Sequence, residues 1–143
     1  MLKRIIPSGS DGVKVIQSPM PELFPGSAKV KIRYSLISRG TESRMIRNCN
    51  GWTEKELIEK DVRLGYCATG TIEALCGEDP RLKQGMRVAI YGGPYVFHGD
   101  WNIVPFSLIQ PIPEGISDEE AVFMGLGAIA MHGFRVGKMQ IGE

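Results

Sequence analysis

The segment Ala28–Ser43, "AKVKIRYSLISRGTES", carries the clearest structural pattern in the chain. Apolar side chains alternate with charged or hydroxyl side chains, at Val30, Ile32, Tyr34 and Leu36. A period of two places alternate side chains on opposite faces of a β-strand, so a half-buried strand is predicted over Ala28–Ile37. The Ser-Arg-Gly-Thr-Glu corner that follows predicts that the strand ends in a tight polar turn.

Shorter patterns around this segment predict more strands. They cover Val13–Ile16, Thr69–Leu75, Met86–Tyr91, Trp101–Pro105 and Ser107–Pro111. The last two carry Pro where a hydrogen-bonded ladder must stop, which is typical of edge strands. The 18 Gly and 9 Pro of the chain also favour short strands joined by turns over a helix bundle.

Two capping boxes predict helices. Thr53 with Glu56 starts a short helix over Thr53–Lys60, and Ser117 with Glu120 starts a second helical region. This second region continues through Ala121–Phe134, which is apolar nearly all round, so we expect a helix that is buried or covered by a partner. Its glycines at 125 and 127 predict a close approach by another backbone or a ligand.

Composition excludes several classes of protein. With 143 residues, 43% of them apolar, the chain can bury the core of one domain. A formal charge of +1 gives no electrostatic reason to expect binding to nucleic acid or to an acidic membrane surface. An odd count of three cysteines is no disulfide framework and favours a reduced, cytoplasmic setting. No apolar run reaches the roughly 20 residues of a membrane span.

Four segments, in this order, resemble the N-terminal half of the medium-chain dehydrogenase/reductase superfamily, which includes the zinc alcohol dehydrogenases. They are "VKIRYSLISRGTE" (30–42), "LGYCATGTIEAL" (64–75), "QGMRVAIY" (84–91) and "WNIVPFSLIQPIPEGISDEEAVFMGLGAIAMHGF" (101–134). The resemblance implies a mainly β GroES-like domain over residues 1–143, a distorted β-barrel with a short helix and a C-terminal apolar helix. It also implies NAD(P) in the full-length protein, held by a Rossmann domain that this chain lacks. The glycines of "GLGAIAMHG" do not supply a phosphate-binding loop, because they fall inside a predicted helix.

The zinc ligands of the family are replaced in this sequence. The resemblance puts the first ligand at Arg39, or at Ser38 with a slip of one residue, and the others at Tyr66 and Leu126. None of these side chains is a zinc ligand of the usual kind, and Cys67 alone could contribute one sulfur. The sequence therefore predicts a zinc-independent protein.

Without a metal, side-chain donors must polarise the substrate carbonyl. The resemblance gives Thr41 the role of the hydroxyl that relays a proton, and Arg39 and Tyr66 are the other catalytic candidates. Tyr66 could donate its phenolic proton to a developing alkoxide. The alternatives are that Arg39 is a surface residue, that Thr41 caps a turn and that Tyr66 is only a wall of the cleft.

Further positions complete the candidate site. Substrate contacts are assigned to Glu42, Cys67, His98, Trp101 and Leu126, and a cofactor contact to Gly40. His98 lies in a Gly/Pro loop and is expected to be exposed, as a residue of a lid or a cleft. Cys67 is also expected to behave as a small buried apolar residue.

Two functions remain open from the sequence. The chain is either the substrate-binding domain, a fragment, of a zinc-independent NAD(P)-dependent oxidoreductase that is inactive in isolation, or a non-catalytic GroES-like binding or assembly module. The expected partner of the first is a small carbonyl or alcohol substrate. In either case we expect a homodimer formed through apolar surfaces, with no nucleic acid and no membrane as a partner.

Overall fold

The computed structural model describes residues 1–10, 12–140 and 142. The strands in this part of the chain are β1 (Leu2–Pro7), β2 (Val13–Ser18), β3 (Ser27–Ser35), β4 (Cys67–Cys76), β5 (Arg87–Tyr91), β6 (Trp101–Pro105) and β7 (Ile109–Pro111). The helices are α1 (Arg39–Asn48), α2 (Glu54–Glu59), α3 (Asp118–Ala121) and α4 (Met124–Gly137). The protein is thus mainly β with a few helices, as the sequence predicts.

The strands form two antiparallel sheets. β1 pairs with β2, and the other five strands lie in the order β6-β3-β4-β5-β7. Among the described strands no pairing joins β6 to β7, so the larger sheet stays open. β6 and β7 are therefore its edges, which confirms the prediction of edge strands, although β7 is shorter than the predicted Ser107–Pro111 and follows a 3₁₀ helix over Phe106–Leu108.

The predicted strand is confirmed through Ser35, but the alternation of buried and exposed side chains holds in its first half only. β3 runs over Ser27–Ser35, and Val30 is fully buried while Tyr34 is 41% exposed. Irregularities in the pairing with β4 occur on both sides of Ile32. Such a bulge changes the direction of the side chains that follow it. The alternation between buried and exposed side chains therefore ends before Leu36 and Ile37.

The polar corner after β3 is a helix, so the prediction of a tight turn is wrong. Ser38 is the N-cap residue of α1, and its backbone N–H donates to the Glu42 carboxylate at 2.7 Å. A carboxylate in the first turn also interacts favourably with the helix dipole. The Gly and hydroxyl residues of this corner favour a turn locally. The hydrogen bond between the Glu42 carboxylate and the backbone N–H of Ser38 stabilises a helix instead.

Both capping boxes are confirmed, whereas the long apolar helix is not continuous. Thr53 caps α2 and Ser117 caps α3, each with reciprocal bonds to its Glu. The chain leaves the helix after Ala121 and re-enters it at Met124. Most of α4 is exposed within this chain, so burial in its own core is wrong, and cover by a partner stays a prediction.

The two glycines of α4 differ in their surroundings. A Cβ at Gly125 would overlap the ring of Tyr91, whereas a Cβ at Gly127 would meet nothing. The close approach predicted from these glycines therefore exists at Gly125, and the approaching group is an aromatic ring. In the described part of the chain no helix has the length and apolar character needed to cross a membrane.

The main core lies on the five-stranded sheet. It contains fully buried side chains of β3, β4, β5 and β6, among them Val30, Ile72, Val88 and Val104. A second, smaller core of Ile6, Cys49 and Leu57 joins the β1-β2 hairpin to the helices α1 and α2. The two cores place α1 beside the start of β4 and the end of β5, where the candidate site lies.

A buried carboxylate attaches α3 to the sheet. Asp118 is 4% exposed and accepts hydrogen bonds from Arg87 Nε at 3.1 Å and Nη2 at 2.9 Å. Arg33 Nη1 lies 3.0 Å from its second oxygen. Because both oxygens face guanidinium groups, the charge of Asp118 is compensated despite its burial.

Replacement of this carboxylate should destabilise the fold. We expect Asp118→Asn to lower the free energy of unfolding by about 2 kcal/mol, since it leaves two guanidinium groups without a counter-charge. Urea denaturation measures the change. Glu114→Gln removes an exposed carboxylate from the preceding loop and should change stability by less than about 0.5 kcal/mol. Equal effects of the two substitutions would contradict this account.

Candidate functional site

A cleft of about 670 Å³ lies between α1, the segment 61–66, the loop after β5 and α4. Its walls include apolar side chains from all four of these elements, namely Met45, Val62, Val96, Leu126 and Ile129. The volume is within the usual range for sites that bind small molecules. The candidate site is therefore built where a helix start and the ends of two strands meet.

Three of the predicted site residues meet in this cleft. Thr41 comes from the first turn of α1, Tyr66 from the residue before β4, and Leu126 from the first turns of α4. The ring of Tyr66 packs edge-to-face on Tyr91, with 6.0 Å between the ring centroids and an angle of 83°. Among the described residues, the hydroxyls of Thr41 and Tyr66 have no hydrogen-bond partner, so both can bind a ligand oxygen.

The other six predicted residues lie outside the lining of this cleft. Arg39 and Gly40 are exposed at the start of α1. Cys67 is buried at the start of β4, and Trp101 begins the edge strand β6, where Lys29 Nζ lies 4.3 Å from its ring centroid. The contact with Lys29 is a cation–π interaction on the sheet.

His98 is buried, so the expectation of an exposed loop histidine is wrong. Its Nε2 lies 2.8 Å from Glu42 Oε2, and its Nδ1 lies 2.8 Å from Ser35 Oγ. His98 and Glu42 are each 5% exposed. A buried carboxylate that accepts bonds from both an imidazole and the start of its own helix is held rigidly, and this fixes the first turn of α1 and thus Thr41.

Gly65 makes room for this imidazole. A Cβ at Gly65 would lie 2.8 Å from His98 Cε1 and 2.9 Å from Nδ1. The residue also has a φ of +92°, which glycine adopts without strain. The Gly of "LGYC" therefore serves the packing of His98, directly beside Tyr66.

A second group of charges lies at the edge of the cleft and was not found from the sequence. Arg4 is 5% exposed, and its Nη1 donates to Asp61 Oδ1 at 2.7 Å. Arg63 bonds to the other carboxylate oxygen and donates to the carbonyl of Pro94 at 2.7 Å. In the sequence, only the charged run "EKDVRLGY" indicates this group of charges. The run contains Asp61 and Arg63 but does not point to Arg4, which lies far away in the chain.

These contacts shift the ionisation of Asp61. Partial burial by itself would raise the pKa of this carboxyl, but the hydrogen bonds from Arg63 and Arg4 outweigh it and hold the pKa below its usual range. The carboxylate is therefore ionised at neutral pH and cancels one of the two neighbouring guanidinium charges.

The residues at the family's ligand positions do not fit a zinc ion. Burial, with a smaller effect of Glu42, raises the pKa of Cys67 to about 11, so the thiol is protonated at neutral pH. Tyr66, Arg39 and Leu126 offer no further ligand of the usual kind. In the part of the chain that the structure describes, no group of three or more His, Cys, Asp and Glu side chains is placed to hold a metal.

Comparisons with known proteins give a fold but no sequence family. No family model and no curated protein matches the sequence. Among solved structures, a short chain alcohol dehydrogenase (rspB) of Escherichia coli CFT073 with its cofactor NADH aligns with a TM-score of 0.75 at 20% identity, over 96% of this chain and 46% of that one. The quinone oxidoreductase of Coxiella burnetii aligns at 0.74 and 19% identity, over 99% and 47%.

A third structure, the 2R,3R-butanediol dehydrogenase of Bacillus subtilis, aligns at 0.74 and 15% identity, over 100% of this chain and 49% of that one. The chain thus has a fold that is part of these dehydrogenases and of the quinone oxidoreductase. It spans slightly less than half of the length of each.

Removal of the buried imidazole should loosen α1. We expect His98→Ala to lower the free energy of unfolding by about 2–3 kcal/mol, because it leaves the Glu42 carboxylate buried without this partner. Urea denaturation gives the size of the change. His132→Ala is the matched control, since His132 is exposed on α4 and its loss should cost less than about 0.5 kcal/mol. A cost below about 1 kcal/mol for His98→Ala would mean that the cluster does not hold the helix.

Asp61 should make stability depend on pH. Its folded pKa lies below the ordinary 3.8, so its ionisation stabilises the fold above that pH, and the stabilisation is lost as pH falls through the folded pKa. We expect Asp61→Asn to be less stable than the wild type by about 1 kcal/mol at pH 7, after allowing for solvent screening of a half-exposed group. Asn also tolerates the φ of +47° at this position.

Urea unfolding between pH 2.5 and 7 tests this dependence. The difference between wild type and Asp61→Asn should shrink toward pH 2.5. A difference that stays constant over this range would show that the ionisation of Asp61 does not contribute to stability.

Proposed function

We propose that the chain is the substrate-side, GroES-like domain, with its distorted barrel, of a zinc-independent NAD(P)-dependent oxidoreductase of the medium-chain dehydrogenase/reductase superfamily. The observation that carries the proposal is the meeting of Thr41, Tyr66 and Leu126 in one cleft. The resemblance puts the relay hydroxyl at Thr41 and two former zinc-ligand positions at Tyr66 and Leu126. The likeness in fold to dehydrogenases, one of them bound to NADH, supports the same reading.

In this proposal the chain orients and protonates the substrate oxygen. The hydroxyls of Thr41 and Tyr66 donate hydrogen bonds to a carbonyl oxygen that enters the cleft. As negative charge develops on that oxygen during reduction, Tyr66 Oη transfers its proton and is reprotonated from solvent. The apolar walls exclude water and so strengthen both hydrogen bonds. In alcohol oxidation the same proton moves in the opposite direction.

In this proposal the nicotinamide cofactor is bound mainly by another domain. It would supply or accept the hydride. The glycine cluster "GLGAIAMHG" lies within the helix α4, so it does not form the loop between strand and helix that binds a dinucleotide phosphate. A Rossmann domain outside these 143 residues is therefore part of the proposal. Gly40, exposed one residue before Thr41, is the proposed contact of this chain with the cofactor.

The second candidate function is a non-catalytic binding or assembly module. The observation in its favour is the exposed apolar face of α4, formed by Ile129, Met131, Phe134 and Val136. A homodimer through this face fits either function. The three free cysteines support a reduced, cytoplasmic setting in both cases.

Turnover by the longest product of the reading frame decides between the two. We expect oxidation of NADH or NADPH with a panel of ketones and quinones, and unchanged rates after treatment with a zinc chelator. Metal analysis should find no zinc. Absence of turnover with every acceptor would remove the oxidoreductase and favour the module, and about one zinc per chain would refute the zinc-independent reading.

The tyrosine should act in the chemical step. We expect Tyr66→Phe to lower kcat about 100-fold or more, the usual contribution of a general acid, while the melting temperature stays within a few degrees. Tyr95→Phe is the matched control, because Tyr95 is exposed and does not line the cleft. An unchanged kcat for Tyr66→Phe would leave Tyr66 as a wall of the cleft.

A further inference from the structure

We propose that the cleft selects an uncharged, apolar carbonyl compound, such as an aryl ketone, and discriminates against carboxylates and phosphates. The inference rests on the proposed function only in placing the substrate in this cleft. It goes further by naming a substrate class, which the sequence does not indicate.

The first argument is the lining of the cleft. Around Thr41 and Tyr66 the walls are formed by the side chains of Met45, Val62, Val96, Leu126 and Ile129, together with the ring of Tyr91. A ligand with a polar or charged body would lose its hydration against these side chains without new hydrogen bonds. An apolar body gains free energy in the same place, and an aromatic ring can also pack against the tyrosine rings.

The second argument is that the charges in the lining are already paired. Asp61 and Arg63 are its charged residues within the described part of the chain. The Arg63 guanidinium bonds to Asp61 and to the carbonyl of Pro94, and it lies 4.9 Å from the ring centroid of Phe97. The Nε–Nη2 edge of Arg63, the edge that usually recognises an acid, is therefore occupied by Asp61. An anion that took this edge would have to displace a carboxylate that Arg4 also holds.

The third argument is the small number of free polar groups. Two hydroxyls, those of Thr41 and Tyr66, have no partner among the described residues and enter the cleft from different elements. Two donors satisfy one carbonyl oxygen, which has two lone pairs. They do not satisfy the additional oxygens of a sugar or a phosphate, so each of those would remain unpaired.

A matched pair of ligands tests the inference. Acetophenone and 4-acetylbenzoate share the ring and the ketone and differ in one carboxylate. Binding is followed by NMR of the full chain carrying ¹³C-methyl methionine, with Met45 as the reporter in the cleft and Met20, which does not line the cleft, as the reference. We expect acetophenone to shift Met45 saturably, at least about tenfold more tightly than 4-acetylbenzoate, with Met20 unchanged.

A variant of the paired charges should weaken the discrimination. Asp61→Asn releases Arg63, so we expect the affinity for 4-acetylbenzoate to rise until the two ligands differ by less than about threefold. The matched control is Asp79→Asn, which removes a carboxylate bonded to Arg81 outside the cleft and should leave the ratio unchanged. The wild-type comparison stands by itself if Asp61→Asn fails to fold.

Two results would overturn the proposal. Equal or tighter binding of 4-acetylbenzoate by the wild type would show that the cleft does not exclude anions. No shift of Met45 with either ligand would show that the cleft does not bind this class. Selective binding of acetophenone without any NAD(P)H-dependent turnover would keep this inference and remove the oxidoreductase, so the two failures are distinguishable.

Discussion

The buried carboxylate of Glu42 is the interaction on which the arrangement of the site depends. It accepts a bond from the first backbone N–H of its own helix and lies against the imidazole of His98, which comes from a loop 56 residues later. A buried charge of this kind is costly unless it is fully hydrogen-bonded, so the helix start and the loop must keep their positions together. Because Thr41 precedes Glu42, the same contacts place its hydroxyl at the cleft.

A second set of paired charges defines what the cleft can accept. Asp61 bonds to both Arg4 and Arg63 at its edge, although the three residues come from the first strand and from the segment before β4. Guanidinium groups elsewhere in proteins often bind anionic ligands, but only when no carboxylate of the protein occupies them. Here the carboxylate of Asp61 occupies them, and the rest of the cleft lining is largely apolar, with the hydroxyls of Thr41 and Tyr66.

The helix α4 connects the site to the exterior of the domain. Its first turn packs on Tyr91, where the glycine at 125 allows the contact, and Leu126 reaches the cleft. Beyond that turn the apolar side chains are exposed, so a surface that covers them would also close one wall of the site. Another domain or a second chain would each find an apolar contact surface here.

The sequence by itself determined the local features. Alternation over Ala28–Ile37 specified the buried half of β3, and the two capping boxes specified where α2 and α3 begin, because such signals depend on residues within a few positions of one another. The order of four short segments also pointed to the fold that solved dehydrogenases share.

Only the tertiary structure decided the rest. The helix at "RGTES" exists through Glu42 and a histidine far away in the chain, and the burial of His98 depends on the missing side chain of Gly65. The pairing of Asp61 with Arg4 likewise joins residues 57 positions apart. Local propensity contains no information about such contacts, since their free energy comes from groups that meet only once the sheet and the hairpin have assembled.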